Sequence, residues 1–147
     1  MPVVNIREIL DWLAVAGLVL FSIYHVLTGV IGGAFSEYSL KFYKAIYGFQ
    51  PRETEQLLMT FKPWGTLAFV VGLIGFVMLL DIERYSLMFI PLAALLLLRM
   101  GYRLYWRQKM YDFWKITTAQ NWRQIIIQFI GAVLFIIYAI SRLEIEN

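Results

Sequence analysis

Four long apolar runs, separated by polar and aromatic connectors, organise the chain. Trp12 to Phe35 is 24 residues without a formal charge. Three further runs cover about 63–80, 86–106 and 122–143. A membrane-crossing helix needs about 20 mostly apolar residues at ~1.5 Å rise each. Taking the first helix as about 11–35, the pattern predicts an all-α integral membrane bundle of four transmembrane helices, one domain over 1–147.

The second and third runs are joined by Asp81-Ile82-Glu83-Arg84-Tyr85, short enough to force an antiparallel hairpin. The other two connectors are longer and predict interfacial amphipathic segments. In the first, Tyr43, Tyr47 and Phe49 alternate with Lys41 and Lys44, and Pro51 is placed to open a short helix from Arg52 to Phe61. The second carries Trp106, Tyr111, Phe113, Trp114 and Trp122, residue types that favour the headgroup region. Pro91 is expected to bend the third helix near Leu87, whose carbonyl loses its donor.

Composition agrees with lipid exposure. The chain is 61% hydrophobic and 16% charged, against about 45–50% and about 25% in soluble domains. The N-terminus lacks a basic region and the first run is too long for a signal peptide, so no cleavage is expected. The stretches Glu37–Lys62 and Arg99–Arg123, which lie on one side, hold ten of the 13 Lys and Arg residues and the other side three. By the positive-inside rule both connectors face the cytoplasm and both termini face away from it. The small net charge of +3 is therefore a topology signal, and no nucleic-acid partner is expected.

Most catalytic chemistry is excluded by what is missing. There is no cysteine, no phosphate-binding glycine loop and no nucleophile elbow. One histidine cannot furnish a multi-histidine metal site. No catalytic residue and no metal are expected.

The third run carries the informative residues. Leu87 to Leu98 is only twelve residues, so the helix spans only by taking Arg99 to membrane depth. Arg99, Arg103 and Arg107 follow at intervals of four on one face. Two positions are open to Arg99: snorkelling to the headgroups, the usual fate of helix-end arginines, or an inward position on an anionic group. A depth count favours the inward one. His25 lies 13 residues into the first helix and Arg99 13 into the third, and both helices run the same way. Thr66 and Gln128 are expected in the same layer, which makes His25, Thr66, Arg99 and Gln128 a candidate ligand-binding set. Arg103, Arg107 and Lys109 are expected at lipid headgroups. With no carboxylate inside any span, the counter-charge of Arg99 must come from lipid phosphate, from Glu37 or Glu53, or from a ligand. The plainer reading of His25 is a neutral imidazole bonded to a neighbouring helix. No cofactor is called for, although one imidazole would suffice as the axial ligand of a haem or a chlorophyll, and the polar layer of His25 and Arg99 would be compatible with a quinone.

Gly29 and Gly33 in the first helix, and Gly72 and Gly75 in the second, are spaced for close helix packing. The order of parts resembles the DoxX-like group of small four-helix membrane proteins. A glycine-bearing first helix leads to the aromatic connector Phe42-Tyr43-Lys44-Ala45-Ile46-Tyr47-Gly48-Phe49, then to a second helix running from Trp64-Gly65 to Gly72 and Gly75. The resemblance implies the fold and, since some members are subunits of quinone-linked enzymes, a possible place beside one; it carries over no catalytic residue. Three functions follow as expectations. The first is a non-catalytic subunit that packs in a larger membrane complex. The second is a lipid- or quinone-binding protein, or a subunit of a quinone-linked oxidoreductase. The third is a small oligomeric transporter.

Overall fold

The computed structural model describes residues 6–48, 50 and 55–143. They form six α-helices and no strand: α1 (Ile6–Gly33), α2 (Ser36–Tyr47), α3 (Glu55–Met78), α4 (Phe89–Tyr105), α5 (Arg107–Trp114) and α6 (Thr118–Leu143). Three stretches are long and apolar enough to cross a membrane: Arg7–Gly33, Ser86–Tyr105 and Thr118–Leu143. The apolar part of α3, Lys62–Met78, is shorter. Large side chains such as Leu20, Leu80 and Leu98 point outward, as in a helix set surrounded by lipid rather than water.

Closest packing runs α1 against α3 and α4 against α6, and α1 and α6 join the two pairs. The α1–α3 seam is made by small residues. A Cβ on Gly29 would meet the backbone of Phe69 at 2.5 Å, and one on Gly72 the backbone nitrogen of Val26 at 2.7 Å. Gly65 lies against the backbone of Gly32 and Gly33, and Gly75 against the Ser22 hydroxyl. Contacts thus step antiparallel along the seam: Gly33 with Gly65, Gly29 with Phe69, Val26 with Gly72, Ser22 with Gly75. Gly33 itself has room, its nearest neighbour being Thr66 nitrogen at 3.9 Å.

The apolar core occupies the half nearer the termini. Leu18, Phe21, Phe89, Phe135 and Tyr138 are buried there. Phe135 meets Phe89 edge-on at 5.1 Å and Phe21 at 5.9 Å. Arg142 closes this end, with Asp11 of α1 at 2.7 Å and Glu83 of the hairpin at 2.9 Å.

Two expectations about prolines change. Pro91 does not bend a continuous helix. The chain enters through a 3-10 turn, Ser86–Met88, and Pro91 lies in the first turn of α4, where helix N–H groups have no intrahelical acceptor to lose. The short helix expected from Arg52 begins outside the described residues. From Glu55 onward it is one helix with α3, with Pro63 inside it.

At the other end the two connectors fold onto each other. Gly48 ends α2 with φ 71°, the left-handed geometry that glycine adopts without strain, and its N–H bonds the carbonyl of Lys44. Arg123 Nη2 donates to the carbonyl of Ile46 at 2.6 Å, so a cation from α6 caps the negative end of α2. The N–H of Gln50 donates to the carbonyl of Trp114 at 2.9 Å. Helix α2 is thereby held across the connector end, packed on α1, α3 and α6.

Candidate functional site

His25 is a buried polar group of α1, and both of its ring nitrogens are engaged. Nδ1 lies 2.8 Å from the carbonyl of Phe21 one turn back. A carbonyl only accepts and a guanidinium only donates, so Nδ1 carries the proton, Nε2 carries none and the ring is neutral. Nε2 is left as an acceptor, and Arg99 Nη1 donates to it at 2.8 Å. Rings of Phe21 and Tyr24 flank the imidazole at 4.0 Å and 5.0 Å. With Nε2 taken by Arg99, neither nitrogen is free to ligate a haem or chlorophyll metal.

Arg99 therefore turns inward, held by an uncharged acceptor that satisfies one of its five N–H groups and leaves its charge unbalanced. Among the described residues no carboxylate pairs with it; the ion pairs lie at the opposite end, on Arg142. The two carboxylates proposed as counter-charges fall outside the description: Glu53 among the undescribed residues, and Glu37 with an undescribed side chain.

Arg103 departs from expectation. Instead of reaching headgroups it bonds Asn121 twice: Nη1 donates to Asn121 Oδ1 at 3.1 Å, and Asn121 Nδ2 donates back to the Arg103 carbonyl at 3.2 Å. Its guanidinium lies 5.3 Å from the centre of the Tyr47 ring. The cause is α2, which brings Tyr47 over this side of α4. Burial pushes the Tyr47 hydroxyl above its usual pKa, and the charges of Arg99 and Arg103 pull it partly back. Tyr43, raised by burial alone, donates to the carbonyl of Thr28 at 3.3 Å, fixing α2 to α1.

Gln128 stands at the level of Arg99. Gly131 of α6 lies against Leu96 of α4, and one turn toward the connectors from each places Gln128 opposite Arg99. Its Oε1 is buried without a hydrogen-bond partner among the described residues. Thr66 does not join the layer. It is exposed, its hydroxyl donates to the Lys62 carbonyl of its own helix at 3.1 Å, and it sits beside Gly33, about 12 Å along α1 from His25 at 1.5 Å per residue. Lys109 is also engaged locally, its Nζ 4.0 Å from the centre of the Trp106 ring.

Asn121 and Tyr47 were not among the candidates. Asn121 precedes the sixth helix's apolar run by one residue and reads as a connector position. Tyr47 reads as an interfacial aromatic, because nothing in its spacing says that α2 folds back over the bundle.

The layer is thus cationic, lacks a carboxylate among the described residues, and presents one unsatisfied acceptor. It suits a polar or anionic head whose oxygens would accept from Arg99. No group of three or more metal-ligating side chains occurs among the described residues. Comparison with protein-family models, with curated proteins and with solved structures gave no match.

Proposed function

We propose that this chain is a non-catalytic, four-span membrane protein of the DoxX-like kind that binds the polar head of an amphiphile, an anionic lipid or a quinone, in the layer of His25, Arg99 and Gln128. The connector end faces the cytoplasm and both termini lie on the other side, following the distribution of Lys and Arg. The observation that carries the reading is the inward Arg99, bonded to a neutral imidazole and paired with no described carboxylate. A charge at membrane depth is expensive and marks a functional position by default. Native mass spectrometry of the detergent-extracted protein tests it. The wild type should retain a lipid or quinone mass, Arg99→Lys should retain less of it, and Arg99→Leu should lose the copy held in this layer. A wild type free of ligand, or equal retention in all three, would overturn the reading.

The second reading is an accessory subunit of a larger membrane complex. It is favoured by α4, the least buried of the three long apolar helices. Leu98, Tyr102 and Tyr105 form an exposed stripe along it at helical spacing, a face suited to a further helix. Stable co-purifying chains in the same spectra would identify that role.

A further inference from the structure

A second cationic feature lies outside the layer, where α5 meets the first turns of α6. A cavity of about 340 Å³ opens there, within the range of small-molecule sites. Its lining is mixed: Arg107, Gln108, Thr118 and Asn121 are polar, and Leu104, Trp122 and Ile125 are apolar. No carboxylate lines it.

The neighbouring cations are already occupied. Arg103 is bonded to Asn121, Arg123 to the Ile46 carbonyl, and Lys109 and Lys115 lie by the rings of Trp106 and Tyr111. The nearby Asp112 accepts from Gln108 at 3.2 Å. Arg107 has neither hydrogen bond nor ion pair among the described residues. Thr118 adds the positive end of α6. Thr117 and Gln120 cap that end reciprocally, through Gln120 N–H to Thr117 Oγ1 at 3.3 Å and Thr117 N–H to Gln120 Oε1 at 3.0 Å. The box leaves the first-turn N–H groups of Thr118 and Ala119 unspent, where an anion is favoured.

We propose that this cavity binds a phosphate-bearing lipid, its phosphate on Arg107 beside the start of α6 and its acyl chain along Leu104, Trp122 and Ile125. A free anion would use the polar lining alone. Leu104 of α4 and Trp122 of α6 are exposed apolar residues at the same cavity, which favours the lipid. The proposal rests on reading α4 and α6 as membrane spans, but not on the His25–Arg99 layer.

The test uses the full chain in detergent micelles. It is titrated with phosphatidylglycerol carrying brominated acyl chains, and separately with the matching brominated diacylglycerol, which has no phosphate. Bromine quenches nearby tryptophan, and Trp122→Phe identifies the Trp122 component. The expected result is saturable quenching of Trp122 by phosphatidylglycerol and little by diacylglycerol. Arg107→Gln should bind about tenfold more weakly, the loss of a charge-assisted hydrogen bond. Arg99→Lys should bind as the wild type, which separates this site from the inner layer. Equal quenching by both lipids, or undiminished affinity in Arg107→Gln, would overturn the proposal. Displacement by equimolar inorganic phosphate would overturn the lipid assignment in favour of a free-anion site.

Discussion

Arg99 on α4 donates to His25 on α1 across 2.8 Å, linking the two helix pairs through one charged donor and one neutral acceptor. The tautomer is set by the Phe21 carbonyl, so the acceptor role belongs to Nε2 alone. In this half it joins the α1–α3 glycine seam and the Tyr43–Thr28 bond, the aromatic core lying in the other half.

His25→Phe should leave the Arg99 donor without its partner and cost roughly 1–3 kcal/mol, the usual penalty for an unsatisfied buried polar group. His25→Gln, whose amide oxygen accepts, should recover part of the loss. Melting in detergent, read beside ligand retention, checks both. A His25→Phe protein equal to wild type in both measurements would mean that the bond holds nothing in place.

Among the seam glycines, the cost of substitution should follow the space at each. Gly29→Ala and Gly65→Ala place a methyl against backbone that cannot yield, and overpacking of this kind costs roughly 1–3 kcal/mol. Gly33→Ala would make only ordinary van der Waals contact and should be nearly neutral, although a leucine there still has to find room. Thermal melting of the three alanine variants in one detergent decides the order. Equal losses at all three positions would contradict it.

Tyr47 makes stability depend on alkaline pH. Its folded pKa lies above the unfolded value, so the unfolded chain gives up the proton first. The stability it contributes is complete below about pH 10 and is lost as pH rises through the folded value. Tyr43 shifts in the same direction. Melting temperature should therefore fall above about pH 10, less steeply in Tyr47→Phe and less again with Tyr43→Phe added. An unchanged slope in the double variant would remove tyrosine as the cause.

Orientation is testable because the chain has no cysteine. Cysteine at exposed Arg84, in the hairpin, should react with an impermeant thiol reagent on intact cells, while cysteine at exposed Lys109 should react only after lysis. The reverse pattern would invert the topology.

The long helices were legible because each apolar run is bounded by charged or aromatic residues. The level of His25 with Arg99 was also legible, since two helices running the same way from one side can be counted residue by residue. What the sequence withheld was direction around each helix and the partner across each seam. Thr66 counts into the connector half, but it stands beside Gly65, and the residue next to a seam glycine is turned outward. Arg103 reads as a headgroup contact until α2 folds over it, and that fold-back depends on Arg123, 77 residues away in sequence, capping Ile46. Gly65 reads as helix punctuation, yet it is one of the closest approaches in the molecule.

The α1–α3 seam also sets a rule of phase. Its contacts recur every three or four residues on both helices, so only that spacing keeps glycine against backbone. One residue inserted into α1 between Ser22 and Gly29 turns everything beyond it by about 100°. Gly29 and Gly33 would rotate off the seam, side chains bearing a Cβ would rotate onto it, and His25 would change its angle to Arg99 if the insertion preceded it. An insertion of four residues, a little over one turn, nearly restores the phase but shifts the level by about 6 Å. A length change within α1 is therefore not tolerated: a single residue inserted between Ser22 and His25 disturbs the helix contact and the polar layer together.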